Sequence, residues 1–339
     1  MATVYVREQG AVVRKRGERI VVTKNGSELE DVPLIHVDQL VVLGNVQVTT
    51  PAAAALMSAG VDVAFFTINW SFRFRLAGTG PSRLARLRFT QYQKMSQEDF
   101  CLAVAREVVV GKLTNQRTIL ERQAATITDR ARERQVRSAI GGIGQMIGAA
   151  RKADNVDSLR GYEGKAGAYY FGAFKLLLQQ DLGFQRREFY PAPDPVNALL
   201  GFGYGMLRKD VTAGVHLVGL DLFLGFFHAI EDRRPSLALD IMEEFRPIIV
   251  DPMVLDIVNR RLLTDEDFER TRNRKRPIQL SDAACELVVR EYEKRINTQV
   301  YHPLAQQNTT YRRCFELQAR RLARVILGKD ERYVPMTIK

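Results

Sequence analysis

Cysteine is scarce in this sequence. Only Cys101, Cys285 and Cys314 occur among 339 residues, far apart and with no CxxC pair. That excludes a disulfide framework and a zinc ribbon, and leaves packed, reduced thiols. Long apolar runs are missing too. None reaches the roughly 18 residues that a membrane-spanning helix needs. The opening MATVYVREQGAVVRKRG has no apolar h-region of a signal peptide. A cytoplasmic protein with no membrane partner is the expectation. No Walker phosphate loop and no GxSxG elbow occurs, which argues against nucleoside-triphosphate and serine-nucleophile chemistry. The glycines of AIGGIGQMIGAA do not spell a dinucleotide fingerprint and follow no strand pattern.

Positive charge is what the chain has in excess. Fifty basic residues stand against 39 acidic ones, a net charge of +11. Such a balance suggests a polyanionic partner. The cations cluster. RTRNRKR holds Arg270, Arg272, Arg274, Lys275 and Arg276; Arg312, Arg313, Arg320, Arg321 and Arg324 recur further on; Arg83, Arg86 and Arg88 form a third group. Any one run reads equally well as a solvated face. Together with a candidate metal site they shift the reading toward a phosphate-backbone binder.

The pattern along the chain changes once. Short β-branched runs such as VYVR, RIVVTK, QLVVLG and VDVAFFT fill the first 85 or so residues, punctuated by turn formers. PAAAALMSAG is the one helical stretch there, with proline at its start and glycine at its end. After the breaker Gly78-Thr79-Gly80-Pro81, helical periodicity takes over, with helices expected near 100–123, 163–180, 194–208, 211–229, 235–246, 251–260 and 281–328. The expected class is α+β: a small, sandwich-like β-rich domain over residues 1–85, then a larger all-α catalytic domain over residues 86–339.

Within the helical part, ionisable groups interrupt core-like sequence. His228 sits in LFLGFFHAI, and Asp240 and Glu243 sit in SLALDIMEEF, three residues apart and so on one helical face. A carboxylate in apolar surroundings needs a partner or a metal. Glu163, in GYEG, is read at the start of another helix, where a dipole role is the plain alternative. His36 reads as a strand residue, His216 as a core histidine and His302 as a loop residue. Two carboxylates and one imidazole suit Mg²⁺ or Mn²⁺. Removing one acid from such a crowded, metal-free site is expected to relieve like-charge repulsion. Arg246 and Lys209 flank these segments as candidate phosphate contacts.

These motifs resemble the metal-dependent CRISPR-associated integrase family. GYEG is similar to its first ligand motif, DPVNALLGFGYGML to its Asn and Tyr helix, GFFH to its histidine motif, and SLALDIMEEFRP to its most recognisable block. VVVGKLTNQRTIL and the closing YVP fit as well, while Tyr162 stands where a small aliphatic is usual. The resemblance implies Glu163, His228 and Glu243 as metal ligands, with Asp240 behind them or as an alternate ligand. It implies DNA cleavage with water as nucleophile, and insertion of foreign DNA as spacers into a CRISPR array with a DNA 3′-OH as nucleophile. It also implies a homodimer formed through the β domain, and a small ferredoxin-like partner protein bridging two dimers. Tyr162, Tyr170 and Tyr204 are candidates to orient an end of the double-stranded DNA partner that the resemblance implies, or to stack on a base, with packing as their plainer role. Two other readings stand beside it: a structure-specific repair nuclease with the same chemistry, and a non-catalytic DNA-binding scaffold whose acids form only ion pairs.

Overall fold

The computed structural model describes residues 2–68, 72–76, 83–188, 191–271, 277–303 and 305–338. The breaker at 78–81, and Arg272, Arg274, Lys275 and Arg276, lie outside the described residues.

Among the described residues, eight strands, a short helix and one 3₁₀ turn make up the N-terminal part. Strands β1 (Ala2–Val6), β5 (Val37–Leu43), β7 (Asp62–Phe66) and β8 (Phe72–Leu76) form one sheet in the order β1-β5-β7-β8. Its first two pairings are parallel and the last is antiparallel. Strands β2 (Val12–Arg16), β3 (Arg19–Lys24), β4 (Ser27–Pro33) and β6 (Gln47–Val48) form the second, in the order β4-β3-β2-β6. Val13, Ile20 and Val22 of the second sheet meet Val6, Leu40, Val42 and Val63 of the first, with Ala52 and Leu56 of helix α1 (Thr50–Ser58) closing the layer. The alternate residues Val41, Leu43, Ala64 and Phe66 are also buried, against Ala213 and Leu217 of the helical part. Both faces of this sheet are therefore covered. That explains why LVVL reads as an unbroken apolar run instead of an alternating one.

Ten helices, α1 included, are assigned among the described residues, and nine of them follow the β layers. Helix α3 (Glu98–Ala124) packs with α4 (Arg130–Ala150) and α5 (Val156–Leu177). Helix α6 (Pro195–Val218) packs with α10 (Tyr311–Ile326). Between them come α2 (Arg83–Met95), α7 (Ser236–Glu243), α8 (Asp251–Asn259) and α9 (Asp282–Ile296). Two small ribbons interrupt the helices, β9 (Phe268–Arg270) with β10 (Ile278–Leu280), and β11 (Gln299–His302) with β12 (Gln307–Thr310). The second splits the single helical stretch expected over 281–328. It also places His302 at the end of a strand, buried, instead of in a loop. His36 lies in an exposed 3₁₀ turn, Leu34–His36, and not in a strand.

Two helix boundaries differ from expectation in ways that shape the site. The side chain of Asp194 accepts from the Asn197 N–H at 2.9 Å and Pro195 opens α6, which then runs unbroken through the proposed gap at 208–211. It stops at Gly219, in the left-handed region at φ +88°, so the helix expected to 229 ends ten residues early. Residues 220–235 are irregular and carry His228. Helix α5 begins earlier than expected, because the Asn155 side chain caps Ser158 N–H at 2.8 Å. Glu163 thus stands in its interior and is no first-turn dipole residue.

Candidate active site

Three helices and one loop converge here. Glu163 comes from α5, Glu243 from the last position of α7, Lys112 from the middle of α3, and His228 from the loop before α7. The ammonium of Lys112 lies 2.5 Å from Glu163 Oε1 and 2.6 Å from Glu243 Oε2. The two acids, 80 residues apart in sequence, face one point, and a lysine stands at it. His228 Nε2 approaches Glu243 Oε1 at 3.8 Å, and Arg246 Nε lies 3.0 Å from the same oxygen.

His228 is held from behind by Asp240. Asp240 Oδ1 accepts the His228 N–H at 2.9 Å and lies 2.7 Å from His228 Nδ1; Oδ2 accepts from the Phe226 and Phe227 N–H groups at 2.5 and 3.0 Å. Four partners fill the lone-pair directions of one carboxylate. Asp240 is therefore no alternate ligand: it folds the histidine loop and presents Nδ1 with an acceptor. The tautomer this favours keeps the proton on Nδ1 and turns the Nε2 lone pair toward Glu243. Gly225 is needed for the loop to close, since a Cβ there would stand 2.8 Å from the backbone carbon of Ser236 and 2.9 Å from Asp240 Oδ2. The loop entrance is pinned by buried Gln91 of α2, which donates to the Asp221 carbonyl at 3.1 Å and accepts from Asp221 N–H at 2.8 Å.

Charge is concentrated at this point. Burial acts to raise the Glu243 carboxyl, but Arg246, Lys112 and His228 outweigh it and hold it at about 2. Burial acts to lower Lys112, but Glu243 and Glu163 outweigh it and hold the ammonium above its ordinary value. After α7 the helix widens into a π turn, Arg246–Val250, at Pro247, which has no N–H to continue the ladder. That turn sets Arg246 against Glu243 and stacks its guanidinium 4.7 Å from the Tyr204 ring centre. Tyr204 and Tyr170 in turn donate to Asp251 at 2.6 and 2.9 Å. Burial pushes the Asp251 carboxyl up to about 6 despite those two donors.

A third line of support runs from the C-terminal segment. Asn115 of α3, one turn beyond Lys112, donates to the carbonyls of both Glu244 and Met336, each at 2.8 Å, and accepts from Ile338 N–H at 3.0 Å. The Glu244 side chain accepts from Tyr333, Gln318 and Met336 N–H. Pro335 packs on Gly111, so closely that a Cβ there would lie 2.4 Å from the ring. The chain neighbours of Lys112 and Glu243, Gly111 and Glu244, are thus tied to residues 333–338.

Several residues singled out from the sequence fall elsewhere. Tyr204 is buried with its hydroxyl committed to Asp251, so it is a packing residue and not a strand-end contact. Tyr162 is half-buried and packs against the helical core. Arg246 props Glu243 from inside, with its side chain only 17% exposed. Lys209 lies 3.5 Å from Asp210. Arg270 lies 3.3 Å from Asp265. The cations of α10 are internally paired: Arg312 with Asp210 and Glu293, Arg313 and Arg320 with Glu316, Arg321 and Arg324 with Asp330. They are not a free stripe for phosphate. Lys112, Gln91, Asn115 and Glu244 were not anticipated. The signal for Lys112 was a single cation inside VVVGKL.

Do these residues suit a divalent metal? Among the described residues no three histidine, cysteine, aspartate or glutamate side chains gather closely enough to hold a metal as they stand. The donor chemistry does fit. Glu243 Oε2 is buried, and its close partner is the Lys112 ammonium at 2.6 Å. Glu163 shares that point, and Nε2 of His228 lies 3.8 Å from the other Glu243 oxygen. Two carboxylate oxygens and one imidazole match a hard or borderline divalent cation.

The fold and this constellation have known counterparts. The family CRISPR associated protein Cas1 matches residues 4–294. A CRISPR-associated endonuclease Cas1 of Thermus thermophilus is 33% identical over 341 residues, covering 100% of this chain and 98% of the relative. One from Rhodospirillum rubrum is 33% identical over 98% of this chain and 97% of its own. Among solved structures, a casposase bound to integration product superposes with a TM-score of 0.84 at 21% identity, over 98% of both chains. A Cas1 protein from Thermotoga maritima reaches 0.83 at 22% identity, over 97% of both. At those identities the superpositions establish the fold. The family match and the full-length relatives establish more: the chain belongs to the Cas1 family.

Proposed function

We propose that this protein cuts and joins DNA strands at the Glu163–Glu243–His228 site, inserting DNA fragments into a CRISPR array by attack of a 3′-OH on a phosphodiester. The observation that carries the reading is two acids from separate helices facing one point beside a histidine whose tautomer is set by Asp240. Its context is membership of a family whose named relatives are endonucleases. Glu163, Glu243 and Nε2 of His228 would hold Mg²⁺ or Mn²⁺, which when bound polarises the phosphodiester and stabilises charge on the leaving oxygen. The chain's own contributions are distinct. Asp240 holds the imidazole at Nδ1 and aims Nε2 at the site. Arg246 fixes the Glu243 carboxylate. Glu163, its side chain 25% exposed, marks the side from which a strand enters. In strand transfer one phosphodiester forms as another breaks, so no triphosphate is consumed.

The working assembly in this reading is a homodimer formed through the β domain, with a small ferredoxin-like partner joining two dimers and duplex DNA lying across them. A solved partial Cas6-RT-Cas1–Cas2 complex, covering 100% of this chain at a TM-score of 0.76, and a TtCas1–DNA complex support association with a partner protein and with DNA. No helix of the described residues is long and apolar enough to cross a membrane. The deciding experiment is an integration assay with a fluorescent 3′-OH duplex and a repeat-containing target in Mn²⁺. Branched products from the wild type, absent with His228→Ala, support the reading. Simple cleavage of branched substrates without joining would favour a repair nuclease. DNA binding with neither activity would favour a scaffold.

A further inference from the structure

Lys112 is the one group at the site for which a bound metal leaves no place. Its Nζ lies 2.5 Å from Glu163 Oε1 and 2.6 Å from Glu243 Oε2. Ligand oxygens stand about 2.0–2.6 Å from Mg²⁺, Mn²⁺ or Ca²⁺-sized cations. An ammonium and a metal cannot both occupy the position between the same two oxygens. The lysine is not a surface residue that wandered in. It projects from the centre of α3, next to Gly111, and only 13% of its side chain is exposed. Without it, two carboxylates would face each other across a largely buried gap with Arg246 touching only one of them. Such a pair repels strongly in a low-dielectric setting.

We propose that Lys112 is an exchangeable counter-ion. It closes the acid pair when metal is absent and must be displaced for metal to enter, so it sets the affinity of the site for divalent cations. The flexible four-carbon stem makes the exchange feasible without movement of α3. Arginine, with a planar fork and wider reach, would hold both acids at once and resist displacement. The assignment rests on the reading of Glu163, Glu243 and His228 as a metal site, and the test separates the two.

The measurement is Mn²⁺ binding to the full-length protein without DNA, by electron paramagnetic resonance of free Mn²⁺, alongside thermal unfolding with and without the ion. Wild type, Lys112→Met, Lys112→Arg and Glu243→Gln are compared. Lys112→Met should bind Mn²⁺ at least about tenfold more tightly than wild type. It should melt lower than wild type without metal and recover most of that loss with Mn²⁺. Lys112→Arg should bind no better than wild type. Equal or weaker binding by a folded Lys112→Met, while Glu243→Gln abolishes binding, would overturn the counter-ion role and leave the metal site standing. Absence of binding in every variant, or binding that Glu243→Gln leaves untouched, would overturn the metal-site reading and the proposal together. Should Lys112→Met not fold, a crystal of the wild type grown with Mn²⁺ decides the matter. Nζ should have left at least one carboxylate; an ammonium still against both beside a bound ion would refute the exchange.

Discussion

Replacing Glu243 with Ala leaves Lys112 and Arg246 with a lost common partner, both largely buried. Relief of acid–acid repulsion, the expectation from sequence, is therefore reversed. Glu243→Ala should destabilise the protein by about 3–5 kcal/mol, the usual result of breaking a buried ion pair from one side. Urea unfolding checks that, and strand transfer should be lost in parallel. Asp240→Asn asks a separate question. An amide keeps the shape but offers two N–H donors to a pocket that already contains four partners, three of them backbone N–H groups. Stability should fall by about 1–3 kcal/mol. Strand transfer should fall further than DNA affinity does, because the imidazole loses its fixed tautomer. A fluorescence binding curve and an integration time course on the same preparation separate the two effects. At this scale much was legible in advance. An acid in an apolar helix announces an interaction, so Glu163, His228, Asp240 and Glu243 could be picked out one by one. What could not be read was which of them touch. Whether Asp240 faces the site or backs the loop depends on a turn at Gly225 and not on helical spacing.

Elements were legible where periodicity is strong and obscure where a tertiary contact overrides it. The sequence LVGLDLFLGFFHAI is apolar enough to continue a helix, yet the chain breaks at Gly219 because Gln91 and Asp240 supply the backbone partners that a helix would. Those partners lie 128 and 21 residues away from Gly219, outside any local window. The pairing of the α10 cations is hidden only in part for the same reason: Arg312 meets acids on α6 and α9, whereas Arg313 and Arg320 pair with Glu316 of α10 itself. A pH effect belongs to this scale. His216 of α6 stacks on Phe72 of β8 at 4.0 Å, where helix meets sheet. Burial first, then Arg75 and Arg88, push its pKa down to about 4, below its ordinary 6.5. The unfolded chain thus takes up the proton first as pH falls. Stability tied to neutral His216 is complete above about 6.5 and is lost as pH drops toward 4, at no more than about 1.4 kcal/mol per unit. Urea midpoints between pH 7 and 4.5 should fall less steeply in His216→Phe than in wild type. Parallel curves would remove His216 from the acid sensitivity.

For the molecule as a whole, the division into β layers and helical mass followed from composition, whereas the docking between them did not. Tyr5 donates to Glu316 at 2.8 Å, Gln39 reaches the Leu217 carbonyl, and Arg320 reaches Thr3 and Gln39, so polar side chains that look solvated in sequence join the two parts. This bears on where DNA lies. Neutralising Arg312, Arg320 and Arg324 should lower thermal stability and leave the salt dependence of duplex binding close to wild type. A cation that does contact phosphate would reduce the slope of log affinity against log salt by about one unit. Binding isotherms from 50 to 300 mM KCl would show it. The clasp on residues 333–338 has a different kind of consequence, one of timing. Lys112 and Glu243 take their final places only between neighbours that are bonded to Tyr333, Met336 and Ile338. While the ribosome still holds that stretch in its tunnel, the emerged chain has its acids, its histidine and its helices but no finished centre. Ribosome-bound chains stalled so that residue 338 has just cleared the tunnel should resist protease around α7, and chains stalled twenty or so residues earlier should be cut there.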